Sequence, residues 1–218
     1  VTGWGRPTAK LQDAVSRGIL DSATDDWGQL AECDFVVVAT PVDRIADDVH
    51  SLAEHCRAET IVTDAGSVKG SICNELAGET RIRFVGSHPL AGSEKTGFLH
   101  TDPDLFQGRV CVITPENHTD ARAAQIVQTF WEQLGMHVLT MSPAEHDRRL
   151  ARTSHLPHLT AAALCHLLEL EDQRLTATGF RDTTRIAAGD PELWRAIFEA
   201  HADGVAAETD RLIELLTR

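Results

Sequence analysis

Over the first two-thirds of the chain, short β-branched apolar runs alternate with longer stretches in which apolar positions step by three and four, a pattern that predicts strands and helices in turn. Val1 to Trp4 reads as the end of a strand. Pro7 to Arg17 reads as a helix with proline in its first turn and Gly18 after its last. Asp34 to Ala39 is a near-continuous β-branched run of the kind that forms a central parallel strand buried on both faces. Thr40-Pro41-Val42 follows as a turn. Asp43 to His55 then carries Ile45, Ala46, Val49, Leu52 and Ala53 at helical spacing, and Thr60 to Asp64 is strand-like again, completing a βαβ unit. A helix near Lys69 to Ala77, strands at Arg81 to Val85 and Val110 to Thr114, and a helix from about Asp120 to Leu134 continue the alternation. The last of these helices has one apolar stripe of Ala123, Ile126, Val127, Phe130, Trp131 and Leu134. Met136 to Thr140 adds a short strand.

From Ser142 onward the strand signals stop, which divides the chain into an α/β domain at 1–141 and an all-helical domain at 142–218. Ser142-Pro143-Ala144-Glu145 supplies an N-cap, proline at N1 and a capping-box glutamate. The first helix is expected to run to about Leu170 with a kink at Pro157. Another helix starts at Asp190-Pro191-Glu192. Its stripe of Trp194, Ile197, Phe198, Val205, Leu212 and Leu216 suits either packing inside the chain or a dimer interface.

Composition adds boundaries to this picture. At 218 residues, 42% hydrophobic and 24% charged, the chain is of ordinary globular type, and it has no apolar run long enough for a bilayer and no signal-peptide pattern at Val1, so a cytoplasmic location is the expectation. A net charge of -13 argues against nucleic acid as a partner and requires a local cationic pocket for any anionic substrate. Five scattered cysteines without a Cys-x-x-Cys pair suggest buried thiols, neither a disulfide framework nor a zinc site.

Candidate chemistry concentrates in Gly86-Ser-His-Pro-Leu-Ala-Gly-Ser-Glu-Lys-Thr-Gly97. Gly86 is read as a sharp turn that presents His88 at the carboxyl end of a strand, where open α/β sheets bind ligands. Pro89 stiffens the segment, which suits a general base, although a lone loop histidine is more often a surface residue. Asp64-Ala-Gly-Ser-Val-Lys-Gly70 places Gly66 and Ser67 at the same sheet edge, with an N-cap as the bland alternative for the serine. Arg181 and Arg185, four apart in Phe180-Arg-Asp-Thr-Thr-Arg-Ile186, form either a carboxylate clamp or a solvated basic turn paired to Asp182 and Asp190. Histidines three apart in Ser154-His155-Leu-Pro-His158 invite a metal reading. That reading ranks last, because no acidic or cysteine ligand accompanies them and His146 lies about 180° around the helix from His155.

Taken together, the motifs at 64–70, 86–97, 142–147 (Ser-Pro-Ala-Glu-His-Asp), 154–158 and 179–187 (Gly-Phe-Arg-Asp-Thr-Thr-Arg-Ile-Ala) resemble the prephenate/arogenate dehydrogenases of tyrosine biosynthesis along essentially the whole chain. The resemblance implies a Rossmann-like dinucleotide-binding domain followed by a helical dimerisation domain. The family's first strand and Gly-rich phosphate loop, expected about 30 residues upstream, do not occur, so the chain is expected to be truncated at its start. By the same likeness His88 takes the proton of the substrate's ring hydroxyl, and Ser67 bonds that hydroxyl and orients His88. Arg185 binds a substrate carboxylate with His158 nearby. Ser93 belongs to the same substrate loop, while Glu94, Arg181 and Asp182 resemble an ionic gate, with Arg181 where the family often has lysine. Cofactor contacts fall on Gly5, Arg6, Thr40, Pro41 and Gly66.

Implied partners are prephenate or arogenate, a nicotinamide dinucleotide and a second copy of the chain. Gly5 stands where an acidic residue would read the ribose of NAD, and Arg6 follows it, so NADP is modestly favoured over NAD. The competing reading from another class is a non-catalytic dimerising remnant that binds an aromatic-pathway metabolite without turning it over.

Overall fold

The computed structural model describes residues 1–6, 8–92 and 102–218; Pro7, the expected first-turn proline, lies outside them. The chain opens with β1 (Thr2–Trp4), α1 (Thr8–Ser16) and β2 (Ser22–Thr24), followed by a 3-10 turn at Trp27–Leu30. Gly18 closes α1 with φ 71°, the left-handed conformation that glycine adopts without a Cβ penalty. Next come β3 (Phe35–Val38), α2 (Ile45–His55), β4 (Ile61–Asp64), α3 (Gly70–Leu76), β5 (Arg83–Pro89), β6 (Val110–Thr114), α4 (Ala121–Gln133) and β7 (His137–Thr140). Among the described residues no helix is long and apolar enough to cross a membrane.

β1 and β2 pair in parallel, and five further strands hydrogen-bond in the order β3-β4-β5-β6-β7. The β1–β2 pair faces β3 across a cleft of about 840 Å³, lined by Trp4, Trp27, Val36, Val38, Thr40, Asp48 and Phe130 among others. Trp4 stacks on Trp27 with ring centroids 3.6 Å apart, so one wall of the cleft is aromatic.

Two sequence expectations about the sheet are corrected. The strand before His88 does not stop at Val85 for a turn at Gly86; it runs on to Pro89, because β5 changes partner midway. Arg83, Phe84 and Val85 pair with β4 in parallel, whereas Gly86 to Pro89 pair with β6 antiparallel, so the sheet is not wholly parallel. Gly86 serves close packing here. A Cβ at this position would lie 2.6 Å from Thr114 Oγ1 and 3.0 Å from Cys73 Sγ.

The sheet carries its core on both faces, as a mostly parallel sheet requires. One cluster holds Val38, Ile45, Val49, Leu52, Val62, Val68, Ile72 and Leu76, and Ala196 and Ile197 of the helical half join it. The other packs Val85, Cys111, Ile113, Ala123, Val127, Trp131 and Met136 under α4. Each fully buried aliphatic side chain of this kind contributes about 1.5–3 kcal/mol. Of the five cysteines, Cys73 and Cys111 are buried, but Cys165 is exposed, contrary to the expectation that all are buried.

Beyond β7 the described elements are helices: α5 (Pro143–Leu150), α6 (Leu156–Leu167), α7 (Thr178–Thr184), α8 (Pro191–Ala200) and α9 (Ala202–Leu216). Ser142 caps α5 by accepting the Glu145 N–H at 3.2 Å. The reciprocal half of the capping box is not formed, since the Glu145 carboxylate turns to Arg148 and Arg149 instead. The expected single kinked helix is interrupted by a π turn at Ala151–His155, where the Leu156 N–H reaches back to the Ala151 carbonyl. Pro157 then sits in the first turn of α6, where a missing N–H costs nothing. The helix from Asp190 likewise breaks, at His201, into α8 and α9. Of its apolar stripe, Ile197 on α8 and Val205 on α9 are buried within the chain, whereas Leu216 is exposed, as are Ile213 and Leu215 beside it.

Candidate active site

The site begins with Asp64, the last residue of β4, whose carboxylate is fully buried and fully engaged. Its Oδ1 accepts the Ser87 N–H at 2.9 Å, and its Oδ2 accepts the Gly66 N–H at 2.9 Å and pairs with the Lys69 ammonium. Lys69, also fully buried, donates at 2.9 Å to the Ser87 carbonyl as well. Buried charges persist only when paired and hydrogen-bonded, and this pair is both. Its effect is to fasten the loop that carries Ser67 to the residue immediately before His88. Ser87 is held further by Thr63 Oγ1 at 2.8 Å and by the Trp131 indole N–H, which donates to its hydroxyl at 3.0 Å.

His88 therefore projects from a strand braced on both sides, and its ring meets a group from the helical half. Its Nδ1 lies 2.9 Å from His146 Nε2, and His146 Nδ1 lies 2.7 Å from Asp147 Oδ1. Asp147 in turn accepts backbone N–H groups across the seam between the two halves, Lys69 N at 2.8 Å on Oδ1 and Gly70 N at 2.7 Å on Oδ2. The second ring nitrogen of His88 has no partner among the described residues. Burial, and then the neighbouring His146, Lys69 and His155, hold His88 well below the ordinary histidine pKa, so its ring is neutral at physiological pH. Hydrogen bonds from His146 and from the Lys69 and Gly70 amides outweigh burial at Asp147 and keep its carboxyl below the usual range.

A second histidine group lies beyond the π turn. His158 is buried with its ring stacked on Trp194 at 3.5 Å, and its Nδ1 has no partner among the described residues. His155 faces His201, nitrogen to nitrogen at 3.2 Å, and burial pushes its pKa down to about 4. Gly189, at the start of the connection to α8, packs against both Trp194 and His158.

Gly66 and Ser67 follow the carboxyl end of β4, and His88 lies near the end of β5, the next strand in the sheet, with Gly66 required because a Cβ there would meet Ile45, Asp64 and Ile72. Arg181 and Asp182 on α7, and Arg185 just past it, are exposed, and no ion pair joins them to each other or to Asp190. The expected single helical face is not formed, since α7 ends at Thr184 and a 3-10 turn takes Arg185 onward. Thr40 and Pro41 follow the carboxyl end of β3, and Thr40 lies on the cleft wall with its Oγ1 buried and unpartnered among the described residues. Gly5 is half-buried and Arg6 exposed. Ser93 and Glu94 lie outside the described residues. Sequence reasoning missed Lys69, His146 and Asp147 as members of the site, although Lys69 stands in the Asp64–Gly70 motif and the other two in the Ser142–Asp147 motif.

A mostly parallel sheet that gathers its polar groups at the carboxyl ends of β4 and β5, capped by a helical half that completes the cluster, defines the class of dinucleotide-binding dehydrogenase folds. Residues 1–140 match the family model "Prephenate dehydrogenase, nucleotide-binding domain", and residues 142–218 match "Prephenate dehydrogenase, dimerization domain". The chain belongs to the prephenate dehydrogenase family. It is 33% identical over 213 residues to a prephenate dehydrogenase of Bacillus subtilis, a match covering 92% of this chain and 57% of that protein. It is 34% identical over 202 residues to a cyclohexadienyl dehydrogenase of Zymomonas mobilis, covering 88% of this chain and 69% of that one. Among solved structures, Aquifex aeolicus prephenate dehydrogenase in complex with hydroxyphenyl propionate and NAD+ superposes with a TM-score of 0.90 at 33% identity, covering 99% of this chain and 78% of that one. Synechocystis arogenate dehydrogenase gives 0.85 at 29% identity, covering 99% and 80%.

Proposed function

We propose that the protein catalyses the oxidative decarboxylation of prephenate or arogenate, a step of tyrosine biosynthesis. The observation that carries this reading is His88, neutral, braced by a buried ion pair behind β5 and backed by His146, with one ring nitrogen left for a ligand. A nicotinamide dinucleotide, when bound, accepts the hydride that leaves the ring carbon bearing the hydroxyl. His88 takes the proton of that hydroxyl, so the carbon becomes a carbonyl. The ring carboxylate then departs as carbon dioxide, its bonding pair enters the ring, and aromatisation makes the step downhill. Ser67 hydrogen-bonds the same hydroxyl and holds it toward His88.

Arg185 binds a substrate carboxylate, with His158 beside it; Arg181 and Asp182 border the entrance, and Ser93 and Glu94 take the substrate-side roles that the family resemblance gives them. An arginine fork suits a carboxylate in a protein whose net charge is -13. For the dinucleotide, the cleft between β1 and β3 offers buried, unpartnered polar atoms at Trp4 Nε1, Thr40 Oγ1 and Asp48 Oδ2, which suits a site completed by further polar groups. Gly5, Arg6, Thr40, Pro41 and Gly66 are the residues we assign to its binding, and Thr40 is the one of them that lines this cleft. With Arg6 present and no acid at Gly5, NADP is preferred over NAD. The exposed leucines of α9 suit a homodimer, and the compartment is the cytoplasm. A binder without catalysis has no need of a desolvated histidine cluster, which supports the enzyme over the remnant.

Turnover measured with prephenate and with arogenate, each with NAD and with NADP, tests the proposal. Product release as carbon dioxide together with cofactor reduction is expected from one of these pairs. No turnover with any of them, from the full-length protein shown to be folded, overturns it.

A further inference from the structure

Asp147 and His146 form a chain of hydrogen bonds that ends on His88, and each link fixes where one proton sits. Both Asp147 oxygens already accept a backbone N–H, from Lys69 at 2.8 Å and Gly70 at 2.7 Å, so the group is a carboxylate with only acceptor capacity. His146 Nδ1, at 2.7 Å, must therefore carry a hydrogen and donate it to Oδ1. A neutral His146 then has its lone pair on Nε2, which at 2.9 Å can only accept from His88 Nδ1. His88 is left with its hydrogen on Nδ1 and its lone pair on Nε2. That is the reverse of the tautomer that free histidine favours in water.

We propose that Asp147 and His146 are positioning residues that set the His88 tautomer, so that Nε2 is the atom that takes the substrate proton. This rests on the dehydrogenase reading for its catalytic consequence, though not for the tautomer itself. The other groups around the chain leave its polarity unchanged. From β4, Asp64 is committed to Lys69, Gly66 and Ser87. From the start of α3, the Lys69 ammonium points to Asp64 and the Ser87 carbonyl. From the π turn, His155 bonds His201. From β6 stand the apolar Val112, opposite His88, and the Cys111 thiol, opposite Pro89, whose pKa burial raises to about 12, so that it stays protonated. None of these supplies a competing donor to His146 Nε2.

The test is long-range proton–nitrogen NMR on the protein labelled with nitrogen-15 in histidine, with His88 assigned by loss of its signals in His88→Asn. At pH 7.5 the parent should show His88 with protonated Nδ1 and bare Nε2. In His146→Phe the Nδ1 hydrogen loses its acceptor, and His88 should switch to the Nε2-protonated form. Asp147→Ala, which does not touch His88, should produce the same switch by freeing His146 to turn its own hydrogen toward His88; if it fails to fold, His146→Phe decides alone. In turnover, His146→Phe should lower kcat at least tenfold and leave KM within twofold. An Nε2-protonated His88 in the parent, or a tautomer unchanged in His146→Phe, overturns the proposal. Because the NMR readout needs no substrate, a parent with the expected tautomer and no dehydrogenase activity would overturn the functional reading and leave this assignment standing.

Discussion

An imidazole accepts a proton only while it is uncharged, and His88 is kept so chiefly by burial, with the Lys69 ammonium nearby, and not by its place in the sequence. Replacing it with asparagine keeps a polar group of similar reach but removes the base, so kcat should fall by two or more orders of magnitude with little change in KM. Near-parental turnover of that variant would remove His88 from the mechanism. With the pKa depressed, the acid limb of kcat/KM should lie below pH 6.5, since activity is present above the His88 pKa and is lost only as pH falls through it. A limb centred above 6.5 would contradict the environment described for the ring. His88 stood out in the sequence because glycines and a proline crowd around it in a short motif. His146 was not, because the contact that gives it meaning spans 58 residues and depends on how two halves dock.

Element boundaries followed the apolar periodicity closely where a strand keeps the same neighbours along its length, as at β3 and β4. They failed at β5, whose glycine and proline look like breakers in isolation and are tolerated because the strand passes from one neighbour to another. Gly86 marks that handover. Gly86→Ala would drive a methyl against Thr114 and Cys73, overpacking that typically costs about 1–3 kcal/mol. Thermal unfolding should show a lower Tm, and an unchanged Tm would mean that Thr114 and Cys73 move aside freely. The π turn at Ala151–His155 was likewise invisible, since Pro157 signals an irregularity without saying that the helix widens one turn before it.

Across the whole molecule, three depressed histidines, His88, His155 and His158, make stability depend on pH in a defined direction. The unfolded chain takes up protons near pH 6.5 while the native one resists, so stability is fully present above about 6.5 and is lost as pH falls toward about 4, the His155 value. Carboxylates such as Glu79, held at about 2 mainly by Arg81, add their own loss only below their unfolded pKa. A Tm that drops between pH 7 and pH 5 is expected, and a flat profile there would contradict neutral burial. At the same scale, Arg185→Ala should chiefly raise KM, because an exposed cation in a protein of net charge -13 gathers an anionic substrate before any chemistry begins; an unchanged KM would remove Arg185 from binding. The carboxylate of Asp147 spans the seam between the sheet and the helices, with both oxygens committed to amides at the start of α3 and one of them also to His146. It therefore works as an interlock. Whenever the halves part there, even briefly, His88 loses its backing from His146 in the same event, so hydrogen exchange at the Lys69 and Gly70 amides reports how often that support opens.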